Sequence, residues 1–111
     1  MSYDVALLHK GIPVRVPRHS DGGTYVLGGI DRAELNVTYN YDISCLGPNG
    51  LWELHGLTGD EALPRLRGAV LYLGTVRDPD YWAGTPGNAG YTLSILLGWA
   101  ALYPRATFRV E

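Results

Sequence analysis

From Thr85 to Tyr103 the chain reads as one helix with a marked beginning and a marked end. Thr85 supplies a capping hydroxyl and Pro86 takes the first helical position, where a missing N–H costs nothing; Asn88 offers an alternative cap slightly later. Pro104 stops it. Tyr91, Ile95, Leu96, Trp99 and Leu102 form its expected core stripe, and Gly90, Ser94, Gly98 and Ala101 a ridge of small residues. An earlier helix starts at Thr58, where Thr58 and Glu61 spell the T-x-x-E capping box. Leu63, Leu66, Val70 and Leu73 are its stripe, Pro64 suggests a kink, and Gly74 suits the C-terminal cap.

Upstream of both helices the period changes from 3.6 to 2. Tyr3 to Leu8 and Ile12 to Val16 flank a Lys10-Gly11 turn and predict a hairpin whose second strand, with Pro13 inside it and Pro17 directly after it, is an edge. Thr24 to Leu27 is a short strand. Ala33 to Asp42 alternates most clearly: Leu35, Val37, Tyr39 and Tyr41 share one face, and Glu34, Asn36, Thr38, Asn40 and Asp42 the other. The segment 43–57 reads as irregular. Ala106, Phe108 and Val110 predict a last strand. Strands first and helices afterwards favour an α+β fold: a mainly antiparallel sheet of about four to five strands with two helices packed on one face.

The 111 residues suffice for a single domain spanning 1–111, and an apolar share near one half allows a core without disulfides or metal. A net charge of −2 argues against an extended nucleic-acid surface. The cations are Lys10 and otherwise Arg, which can grip one phosphate bidentately. A single cysteine, Cys45, and no signal-peptide pattern at the start suit the cytosol, and no stretch is long and apolar enough to span a membrane.

Four pieces carry a resemblance: Met1 to Val5, Glu34 to Tyr41, Leu57 to Pro64, and Gly87 to Ala100. They resemble small uncharacterised proteins of bacteriophages and prophages. The resemblance implies an accessory protein acting in the host cytoplasm, of a kind that opposes bacterial immunity by blocking an effector or sequestering its nucleotide signal. It implies no catalytic residues.

The candidate sites are chemical. Asn36, Thr38 and Asn40 make a row of donors and acceptors that can meet a polar ligand edge; the plain alternative is a solvated sheet face. Tyr81 and Trp82 in the Asp78 to Gly84 loop can cover a ring or anchor a protein, or can seal the core. The helix start at Gly87-Asn88 can face an anion, or simply be a capped turn. Arg32 and Arg77 can supply charge to a phosphate. The small-residue ridge allows self-association as a homodimer or larger oligomer, or internal packing. His9, His19, His55 and Cys45 lack metal-ligand spacing, and His55 with Glu53 is the least implausible catalytic pair. The expectation is a non-enzymatic protein without cofactor or metal that binds a nucleotide-type small molecule or a bacterial defence protein. The alternative is an interaction module with no small ligand.

Overall fold

The structure is a computed structural model describing residues 2–17, 19, 24–26, 29, 31–38, 43–80 and 82–111, with 24–26 described for the backbone alone. Five strands and two α-helices follow in the order expected: β1 (Ser2–His9), β2 (Ile12–Pro13), β3 (Thr24–Val26), β4 (Glu34–Thr38), α1 (Gly59–Leu73), α2 (Pro86–Leu102) and β5 (Thr107–Val110). The segment read as irregular holds two short 3-10 turns, Ser44–Leu46 and Gly50–Leu54. The fold is α+β, and all strand pairs are antiparallel.

β1 organises the sheet. Val5 and Ala6 pair with Leu35 and Glu34 of β4 and also with Val110 and Arg109 of β5, so β4 and β5 lie on opposite edges of β1. β3 pairs with β4. The Lys10-Gly11 turn has both residues at positive φ, 51° and 77°, the left-handed conformations that two-residue hairpins require. It sets Leu8 against Pro13. Beyond β2, Val14 still donates to Leu7 O of β1; the chain then turns to segment 31–33, where Val16 donates to Asp31 O and Arg15 pairs across with Arg32. The far edge of β5 is occupied by segment 55–58, through the Thr58–Thr107 bridge, Phe108 N–H to Leu57 O, and Val110 N–H to His55 Nδ1 at 3.0 Å.

Register decides the buried face. Val5, Leu7, Leu35, Val37, Phe108 and Val110 are all at most 1% exposed and join Leu66, Leu93, Leu96 and Trp99 of the helices in one core. Burying a side chain of that size is worth about 1.5–3 kcal/mol. The capping box of α1 forms: Glu61 N–H donates to Thr58 Oγ1 and Thr58 N–H to Glu61 Oε1. Gly74 caps its C-terminus.

The helix stripes differ from expectation. In α2 the buried residues are Asn88, Ala89, Gly90, Thr92, Leu93, Leu96, Trp99 and Ala100, whereas Tyr91 and Ile95 are half-buried and Leu102 is 55% exposed. α2 is apolar on nearly every side, so periodicity alone selects no face. Close approach selects it: a methyl on Gly90 would lie 1.7 Å from Gly74 O, so only glycine lets α2 meet the end of α1 there. In α1 the buried positions are Gly59, Ala62, Leu66 and Ala69, with Leu63, Val70 and Leu73 only half-buried. Small residues sit where the two helices, whose mutual contact is the most extensive between elements, come nearest.

Candidate functional site

The predicted site residues fall in separate places. On the sheet, Asn36 lies opposite Asp4, and its amide donates to Asp4 Oδ1 at 2.6 Å and Ser2 Oγ at 2.7 Å. Its two donor hydrogens are engaged across the strand pair. Thr38, opposite Ser2, is half-buried. Asn40 and Tyr81 lie outside the described residues. Trp82 is 41% exposed, in a loop held by Asx turns: Asp80 N–H donates to Asp78 Oδ1 and Trp82 N–H to Asp80 Oδ1. Those two aspartates therefore build the turn.

Asn88 is the organiser of that loop. It is 2% exposed, accepts from Asp78 N–H at 3.0 Å, and donates to Asp80 O at 3.0 Å and Ala83 O at 2.9 Å. The helix cap proper is Thr85, whose hydroxyl accepts from Asn88 N–H. A ligand at the start of α2 finds the Asn88 side chain already committed. Arg77 stands over the Tyr91 ring, 4.6 Å from its centroid, a cation–π contact tying the loop to α2.

The His55 and Glu53 pair does not form a proton relay. His55 Nδ1 accepts from Val110 N–H, and Glu53 binds Asn49 at 2.8 Å and Arg65 at 3.3 Å. Trp52 is 48% exposed and packs edge-on against Tyr3 and His55. Among the described residues, no group of three His, Cys, Asp or Glu is placed to hold a metal ion, and no helix is long and apolar enough to cross a membrane.

Arg32 sits somewhere different. It lines a surface cavity of about 320 Å³ with His9, Lys10, Ile12, Pro13, Val14, Arg15 and Tyr103. A second cavity of about 380 Å³ adjoins it, lined by His9, Val14, Leu102, Tyr103, Pro104, Arg105 and Ala106. His9, Val14 and Tyr103 belong to both, so the two form one groove between the hairpin and the end of α2. Both walls follow from local sequence. Val14 and Val16 turn inward, at 8% and 7% exposure, which leaves Arg15 outward, beside Arg32 on the neighbouring strand. On the other wall Pro104 ends α2, Asp60 N–H binds Pro104 O at 2.8 Å, and the turn into β5 presents Arg105.

The groove is apolar along its floor and basic at its rim. Lys10, Arg15, Arg32 and Arg105 are four of the nine lysines and arginines in a chain of net charge −2. Arg15 and Arg32 are direct cross-strand partners, and like charges so placed oppose folding. Asp31 offsets Arg15 only weakly, at 3.7 Å with both side chains well exposed. Among the described residues lining the two cavities, none is Asp, Glu, Ser, Thr or Cys. Apolar walls with a few convergent polar groups are the usual make-up of a small-ligand site of this size. Of these residues sequence reading found only Arg32. His9, Lys10, Arg15, Tyr103 and Arg105 were missed because the hairpin register, the Arg15–Arg32 bridge and the chain reversal at Pro104 bring them together, and no local pattern encodes these.

No family model, curated protein or solved structure matches the chain.

Proposed function

We propose that this chain is a non-enzymatic binding protein that holds an anion-bearing small molecule of nucleotide type in the groove between the β1–β2 hairpin and the end of α2. The observation that carries it is the Arg15–Arg32 pairing, with Lys10 and Arg105 at the same rim. A phosphate bridging these cations removes their mutual repulsion, and guanidinium groups grip phosphate in forked geometry. The apolar floor of Val14, Leu102 and Tyr103 suits the uncharged part of such a ligand. The reading takes both helices to cover the Val5, Leu7, Leu35 and Val37 face of the sheet, which leaves Asn36 and Thr38 on the opposite face. It leaves the Trp82 loop as a separate surface.

The resemblance to phage and prophage proteins supplies a purpose: an accessory protein in the host cytoplasm that counters bacterial immunity by sequestering a nucleotide signal. A second reading, capture of a defence effector or another protein without any small ligand, is favoured by the exposed large side chains Leu71, Tyr72, Val76 and Trp82.

Thermal-shift and calorimetric titration of the purified chain with nucleotides tests the first reading. A one-site ligand at a hundredfold excess over its dissociation constant adds about 2.7 kcal/mol of stability. Arg32→Ala is expected to weaken binding at least tenfold. Wild-type protein that no nucleotide stabilises, or an Arg32→Ala variant that binds as well as wild type, overturns the reading.

A further inference from the structure

The groove continues along α2. A third cavity, of about 200 Å³, is lined by Pro17, His19, Ser94, Ile95, Gly98, Trp99 and Leu102, and shares Leu102 with the middle cavity. The three therefore form a connected series from the hairpin cations, past Arg105 and Tyr103, to the exposed side of α2. Their chemistry grades along the series. One end holds Lys10, Arg15 and Arg32, the middle holds Arg105 and His9, and among the described residues the far end has no Lys or Arg.

Two observations mark the far end as more than a dent. A methyl on Gly98 would meet nothing within 4 Å, so this glycine is not required by internal packing, unlike Gly90. It leaves helix backbone open at the cavity. His19, only 7% exposed, donates through Nε2 to Arg32 O, so its Nδ1 is left as an acceptor, and that atom is buried with no hydrogen-bond partner. An unpaired buried acceptor is costly, and the ring that carries it lines the cavity. The same histidine that lines the far cavity thus holds the backbone of Arg32, at the basic end.

Resting on the binding reading above, we infer that the ligand is a nucleoside polyphosphate lying extended along this series. Its planar ring occupies the Pro17, Ile95, Gly98 and Trp99 cavity, and its phosphates run past Arg105 to Arg32, Arg15 and Lys10. Pro17, Ile95 and Leu102 cover the ring's apolar surface, and the cations hold the charge. A bare polyanion fills only the basic part, so the two ends contribute separately.

Calorimetric titration with ATP, GTP and inorganic tripolyphosphate as probes separates the ends. Wild type is expected to bind at least one of the nucleotides ten times or more tighter than tripolyphosphate. Gly98→Leu fills the ring cavity and should bring that nucleotide's affinity down at least tenfold, leaving tripolyphosphate unchanged. Arg32→Ala should weaken both. If Gly98→Leu does not fold, Ile95→Trp fills the same cavity from the preceding turn, and the same outcomes are read from it. A blocked ring cavity that leaves nucleotide affinity at the wild-type level, or lowers nucleotide and tripolyphosphate equally, overturns the extended placement while the basic groove stands. Loss of neither probe in Arg32→Ala, or no binding of any of the three by wild type, overturns the groove itself and the placement with it.

Discussion

Asn88 shows how a residue chosen for chemistry can be taken up by architecture. Its amide makes three bonds to the backbone of the 78–83 loop. Asn88→Ala is expected to cost about 2 kcal/mol, the scale of partly buried groups left without partners, and to raise amide exchange across 78–83. Urea denaturation and hydrogen exchange check this. His55 is the second such residue. Because its Nδ1 accepts from Val110 N–H, His55→Ala should destabilise the chain by about 1 kcal/mol without altering nucleotide binding. A hundredfold loss of biological activity in a folded His55→Ala protein would instead point to a general acid or base.

Among the elements, the helices divide the work of specification differently. α1 is set locally by its cap. The Thr58 backbone N–H, and secondarily the Thr58 hydroxyl, hold the exposed Glu61 carboxylate below its ordinary value of 4.5. A carboxyl with a depressed folded-state pKa contributes stability that is present above its unfolded value and is lost as pH falls through the folded one. The stability difference between wild type and Glu61→Gln should therefore be constant well above pH 4.5 and shrink as the pH drops below it, as measured by urea melts across that range. α2 is set by packing. Gly90→Ala places a methyl against Gly74 O and should cost about 2 kcal/mol or more, whereas Gly98→Ala meets open space and should gain about 0.5–1 kcal/mol from helix propensity. Equal effects at the two positions would mean that α2 packs by another face.

For the whole molecule, the uncharged outer side of α2, with Gly98, Ala101 and Leu102 exposed, is the surface that the proposed ligand groove would use as a wall and that a second copy would use as a contact. Both uses need the same surface. With the groove open, Ala101→Glu should leave the mass in light scattering unchanged; a fall from dimer to monomer would show that a second copy covers this face. How much of this was legible follows the range of the forces involved. The element order, the Lys10-Gly11 turn, the Thr58/Glu61 box, the Thr85 cap and the alternation of Leu35 with Val37 rest on interactions within a few residues, and the sequence by itself determined them. Tertiary structure alone decided which side of α2 is buried, because an all-apolar helix carries no periodic preference and a close contact at Gly90 breaks the tie. It also decided the site: strand register sets Arg15 against Arg32 and chain reversal at Pro104 brings Arg105 alongside, so cations far apart in sequence share one rim through pairings that no local pattern encodes.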